Sequence, residues 1–184
     1  MSDLSPNRGK KVKTKWLVSL AAALIFAAGL AATQSSTYIG SKKCSLCHKN
    51  ENLGGQYRIW ESTKHSKSLV SLSSPAAAEP AEAMSVAYPT EDPKCLYCHG
   101  PLFDKAPDFI TEGVNCEVCH GPGSGYAKLS IMKNREEAAK NGLILYGPQD
   151  KIKALCLACH DNPHGKPFDF AAAWETMKHP LPKK

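Results

Sequence analysis

Residues 116–123 read CEVCHGPG, and the five that open this stretch recur three more times, as CSLCH from Cys44 to His48, CLYCH from Cys95 to His99 and CLACH from Cys156 to His160. The four units consume all eight cysteines of the 184-residue chain, each with the same two-residue gap and the same following histidine. Thiols three positions apart lie about one helical turn from each other on one face, and an imidazole at the next position projects from the same side. A chain that repeats this arrangement four times is organised around whatever the arrangement binds.

Cys-x-x-Cys-His is the attachment pattern of c-type haem, in which two thiols reach the two vinyl groups of one porphyrin and the histidine reaches its iron. Two four-thiolate zinc sites would also use eight cysteines, but they have no need of a histidine fixed after every second one. Disulfide pairing leaves the histidines equally unexplained. A redox-active cysteine pair is usually single and set among alternating strands and helices, a pattern this sequence lacks. The expectation is four covalently bound c-type haems on Cys44, Cys47, Cys95, Cys98, Cys116, Cys119, Cys156 and Cys159, with His48, His99, His120 and His160 as proximal ligands.

Outward from the motifs, residues 1–32 read as a signal peptide or an N-terminal anchor. Arg8, Lys10, Lys11, Lys13 and Lys15 precede an apolar run from Trp16 to Ala32 that closes on the small-x-small pattern Gly29-Leu30-Ala31. Its length sits at the short limit for a bilayer span, so the chain associates with a membrane only if this segment is retained. Export places the remaining cysteines in an oxidising compartment, where eight free thiols would not persist. The expected location is the periplasm, with inner-membrane anchoring or an extracellular position as alternatives. The formal charge of +6 is concentrated in the leader, and residues 33–184 hold 18 basic against 16 acidic residues. That balance offers no basic patch for nucleic acid.

Residues 33–184 then form one tetrahaem domain, expected to be mainly α-helical with extensive loops, organised around four packed haems and with little or no β-structure. A helix is predicted within residues 52–72, with Gly54-Gly55 near its start. Residues 73–93 read as loop or short helix, and residues 132–142 as a polar helix closed by Asn141-Gly142. Phe170, Ala173, Trp174 and Met177 share one face of a last helix, stopped by Pro180. GPGSG after His120 lacks the Lys and Ser/Thr of a phosphate loop and reads as a turn that lets backbone pass close to a ring.

There are seven histidines, four inside the motifs and three outside: His65, His164 and His179. Four irons with two imidazoles each need eight. At least one iron therefore lacks a second histidine from its own chain, and is open or takes another ligand. His65, beside Trp60 and Leu69, and His179, at the end of the aromatic helix, are candidate distal ligands, as is His164 in CHDNPHGKPF. Met84, Met132 and Met177 are candidate sulfur ligands that read equally well as gap-filling core.

GSKKCSLCHK, the W-x-x-T-K-H run ending at His65, GVNCEVCHGPG, and CLACH followed by a late histidine together resemble the tetrahaem cytochrome c-554 family. The resemblance implies a multihaem cytochrome c fold in which the first and third haems stack. It assigns His65 to the iron of His120 and His179 to the iron of His160, and commonly leaves the second iron, here that of His99, without a sixth ligand that His164 would supply. The position that would serve the iron of His48 falls on Ser130, with Met132 nearby as a substitute. The implied role is electron carriage between redox protein partners rather than catalysis. Two other readings are retained: a reductase of nitrogen oxides or peroxide at an open haem, and a subunit of an extracellular haem wire, a homo-oligomer in which a neighbour completes an iron.

Overall fold

The computed structural model describes residues 35–147, 149–161, 164–165 and 167–181, so the N-terminal apolar run lies outside the described residues. Every regular element among the described residues is an α-helix or a 3-10 turn, and none is a strand. The α-helices are α1 (Ser41–His48), α2 (Gln56–Ser62), α3 (Ser68–Ser71), α4 (Ala78–Ala83), α5 (Pro93–His99), α6 (Cys116–His120), α7 (Leu129–Met132), α8 (Arg135–Lys140), α9 (Gln149–His160) and α10 (Phe170–Met177). No described helix is long and apolar enough to cross a membrane.

Each Cys-x-x-Cys-His unit ends a helix, so all four motif histidines are final helical residues: His48 of α1, His99 of α5, His120 of α6 and His160 of α9. Local chemistry starts two of these helices. Asp92 accepts from Lys94 N–H ahead of Pro93 in α5, and Asn115 accepts from Glu117 N–H and Val118 N–H in α6. Asn134 and Asp169 do the same for α8 and α10.

Helix α1 has no side-chain cap of its own, because Gly40 stands at its N-cap. Two carboxylates from elsewhere in the chain serve instead. Glu117, 1% exposed inside CEVCH, accepts from Ile39 N–H at 3.0 and 3.1 Å, Gly40 N–H at 2.8 Å and Gly123 N–H at 2.6 Å. Glu112 accepts from Ser41 N–H at 2.8 Å and from Asn115 Nδ2 at 2.7 Å. Donors that a helix N-terminus leaves unsatisfied are thus answered by the segment that carries the third motif. The first and third motifs are stitched together.

The helix predicted within residues 52–72 is interrupted. Thr63 is extended after α2, its hydroxyl turned back onto the Trp60 carbonyl at 2.7 Å, and a 3-10 turn at His65–Lys67 leads into α3. Helix α10 begins after Asp169 and ends at Met177, two residues short of the expected stop; Lys178 is already extended, so His179 lies beyond the helix. Phe170, Ala173, Trp174 and Met177 are the partly buried residues of α10, as their spacing requires. Around His120 the expected turn is present at Gly123–Gly125, with Ile39 and Glu117 against Gly123.

Only eight apolar side chains are buried among the described residues, while Leu46 and Tyr97, inside two of the motifs, stand 78% and 62% exposed. That is a small core for a domain of about 150 residues. The chain's own packing does not supply the apolar burial such a domain needs.

Candidate haem-binding site

No disulfide joins any of the eight cysteines. The Cys44 thiol, which donates to the Gly40 carbonyl at 3.8 Å, lies beside Cys116; this neighbour and burial push Cys44 up, while Cys116 is drawn down by Cys44. Cys159 lies beside Cys98, and burial first and this partner second push it up to about 12. Burial pushes Cys119 up to about 11, with Cys156 contributing next. The first motif therefore lies against the third and the second against the fourth. Among the described residues no three His, Cys, Asp or Glu side chains converge as direct ligands of a metal ion.

Each motif cysteine pair and its histidine are presented from the last turn of a helix, and in three cases the chain also fixes the imidazole tautomer. His99 Nδ1 donates to the Ser68 carbonyl at 3.0 Å, with the Ser71 hydroxyl at 3.2 Å. His120 Nδ1 donates to the Ile144 carbonyl at 3.2 Å, while Ile144 N–H donates back to the His120 carbonyl at 3.0 Å. His48 Nδ1 donates to Gln56 Oε1 at 3.1 Å. A proton held on Nδ1 leaves the Nε2 lone pair free, as a metal-bound imidazole requires. The fourth imidazole, His160, is oriented by stacking on Phe168, centroids 4.4 Å apart and planes 14° from parallel.

The three histidines outside the motifs each face a different motif histidine. His65 stands 6.0 Å from His160, His164 6.4 Å from His99 and His179 5.9 Å from His120, between ring centroids. Imidazoles at this separation could both serve as ligands of the iron of a bound haem. Packed aromatic rings also span such distances. What singles these pairs out is that each spare imidazole takes one motif imidazole and no two share one.

Two pairings expected from the resemblance are exchanged: His65 faces His160 rather than His120, and His179 faces His120 rather than His160. Tertiary contacts are the reason. The His65 carbonyl accepts from Val114 N–H at 3.0 Å and from the Ser68 hydroxyl at 2.9 Å, and Ser68 also donates to the His99 carbonyl at 2.8 Å. Val114 ties His65 to the segment before the third motif, and Ser68 ties it to the end of the second, whose Cys98 lies beside Cys159 of the fourth. Beyond α10, the Pro180 carbonyl accepts from Gln56 at 2.9 Å, which brings His179 to the first and third motifs. Gly113 permits the first of these contacts: at φ +64°, a Cβ there would lie 2.6 Å from the His65 carbonyl oxygen.

Burial holds His65, His120, His160 and His179 below the usual imidazole range, with neighbouring imidazoles adding to it in each case. Ser130 is exposed and Met132 half-buried in α7, and the side chain brought to His48 is Gln56. Sequence reasoning missed Gln56, Glu112, Glu117 and Ser68. For Glu117 a signal was present, a charged residue inside a motif directly after the Asn115 cap.

A family model described as "Cytochrome c554 and c-prime" matches residues 43–121, which include the first three motifs. Cytochrome c-554 of Nitrosomonas europaea is 30% identical over 173 residues, covering 84% of this chain and 71% of that protein. The chain belongs to the cytochrome c-554 family. It is accordingly a c-type cytochrome, with covalently bound haem and a role in electron transport. No solved structure matches it significantly. The tied-back imidazoles and paired rings fit this family's cofactor, and the thin core fits a fold completed by bound porphyrin.

Proposed function

We propose that this protein is a periplasmic electron carrier holding four haems, one on each Cys-x-x-Cys-His helix, in two packed pairs. The observation that carries the reading is the set of three imidazole pairs about 6 Å apart, His65 with His160, His164 with His99 and His179 with His120, which would hold three of the irons. Iron in a bound haem supplies reversible one-electron exchange, and two imidazoles suit it to do so without a change of ligands. The chain's part is positional. The eight cysteines anchor the porphyrins; Ser68, Ile144 and Gln56 keep the proton on Nδ1 of their histidines; and Glu117 and Glu112 hold the first motif against the third. Residues 1–32 act as signal peptide or anchor, and residues 33–184 form the carrier domain. Its partners are redox proteins met in the periplasm.

Paramagnetic resonance of the oxidised protein with spin counting tests the reading. Three low-spin bis-imidazole irons and one of different character per chain are expected. Fewer than three low-spin irons would refute it.

One observation favours a second reading, reduction of a small molecule at the iron of His48: all three spare histidines are paired elsewhere. Carbon monoxide added to ferrous protein would then alter the spectrum of one haem per chain, and no change would exclude it. A wire completed by a neighbour's histidine is less well supported, because His164 already faces His99 within the chain.

A further inference from the structure

Gln56 is 9% exposed and uses its whole amide. Its Nε2 donates to two backbone carbonyls, Leu53 at 2.7 Å and Pro180 at 2.9 Å, and its Oε1 accepts from His48 Nδ1 at 3.1 Å. The amide fits only one way round, since a flipped group would set its oxygen against two carbonyl oxygens. Because Oε1 is a pure acceptor, this orientation also places the His48 proton on Nδ1. Gly54 makes room for the contact: at φ +103°, a Cβ there would lie 2.6 Å from Gln56 Nε2 and 3.0 Å from the Pro180 oxygen. His99 and His120 donate to backbone carbonyls, so His48 alone among these three relies on a side-chain acceptor.

We propose that Gln56 is a positioning residue for two haem sites at once, setting the imidazole of His48 through Oε1 and holding His179 opposite His120 through Nε2 and the Pro180 carbonyl. The inference rests on the ligand pairing proposed above. One side chain thus joins the proximal ligand of the first site to the distal ligand of the third, in the half of the molecule where those motifs are already stitched together. A stronger acceptor on Nδ1 makes the other ring nitrogen a better electron donor to its metal.

Two variants that preserve volume separate the two bonds. Gln56→Glu keeps an acceptor for His48, now charged, but loses the donor to Pro180; Gln56→Leu loses both. In the haem-loaded protein, spectroelectrochemistry is expected to shift the His48 iron to lower potential in Gln56→Glu and to higher potential in Gln56→Leu. Carbon monoxide bound per chain is expected to rise from one to two in both variants, as His179 is released from the His120 iron. A merely structural role would not reverse the sign of the potential shift between the variants. Shifts of the same sign, no shift, or unchanged carbon monoxide stoichiometry in the variants would overturn the proposal. Wild-type protein binding more than one would instead refute the ligand pairing, and the potential shifts would still decide the role of Gln56 at His48.

Discussion

Replacing Glu117 by glutamine tests whether the first and third motifs are held together as described, since shape and volume are kept and only the carboxylate is lost. That carboxylate serves three backbone donors, Ile39, Gly40 and Gly123, at 2.6 to 3.1 Å, at a side chain 1% exposed. Gly40 donates to one oxygen and Gly123 to the other, so whichever way the amide is placed its NH2 opposes a backbone N–H. One charge-assisted bond, worth about 1.5–3 kcal/mol, is lost outright, and the others fall to neutral strength. The expected destabilisation is about 3 kcal/mol, which with a urea dependence of about 2 kcal/mol per molar lowers the unfolding midpoint by roughly 1.5 M. Urea titration followed by circular dichroism, on variant and wild type of equal haem content, measures it. A midpoint shift below roughly 0.5 M would refute the reasoning, because buried donors facing an amide NH2 cannot be nearly neutral.

Single replacements His65→Ala, His164→Ala and His179→Ala should each raise carbon monoxide binding by one per chain, and resonance Raman should assign the newly open iron to His160, His99 and His120 respectively. A result that placed the His179→Ala change on the iron of His160 would restore the pairing implied by the family resemblance. Gly113→Ala puts a methyl 2.6 Å from the His65 carbonyl oxygen at a residue with φ +64°; a cost of about 1–3 kcal/mol and partial loss of the low-spin signal that His65→Ala abolishes are expected. In acid, the sign follows from burial having lowered His65, His120, His160 and His179. Imidazoles that are neutral when folded contribute their full stability above an unfolded value of about 6.5 and lose it as pH falls through the lowered folded value. The urea unfolding midpoint should therefore hold down to about pH 6.5 and fall only below it; a midpoint that already falls above that pH would contradict the burial of these imidazoles.

The four motif helices were legible because their spacing is dictated by chemistry within five residues, and the face of α10 because burial follows the 3.6-residue period. Residues 73–93 and 132–142 also read correctly at the level of short helices, as Ala78–Ala83 and Arg135–Lys140. The break at Thr63 was not legible, since nothing in YRIWESTKHSKSL forbids a continuous helix; the chain turns there by bonding Thr63 to Trp60 while His65 is tied to Val114. Glu117 was missed for a related reason. Two of its donors are backbone N–H groups 77 and 78 residues away, and backbone donors leave no mark on composition or periodicity.

On the ligand pairing proposed above, the exchange of ring partners locates specificity among the sites. A motif histidine is positioned by cysteines one and four residues before it, so its place is fixed by covalent geometry wherever the helix goes. A distal histidine has no such anchor. His65 lies in a 3-10 turn and His179 past the end of α10, and each is located by backbone hydrogen bonds: the His65 carbonyl to Val114 and Ser68, and the Pro180 carbonyl to Gln56. Sequence order therefore says which histidines are spare but not which motif each serves, because pairing is decided by the loops that capture these carbonyls. On the same proposed pairing, the histidine deficit falls on His48. Gln56, at the start of α2, meets the Nδ1 side of His48, and the Pro180 carbonyl that the same amide captures sets His179 against His120.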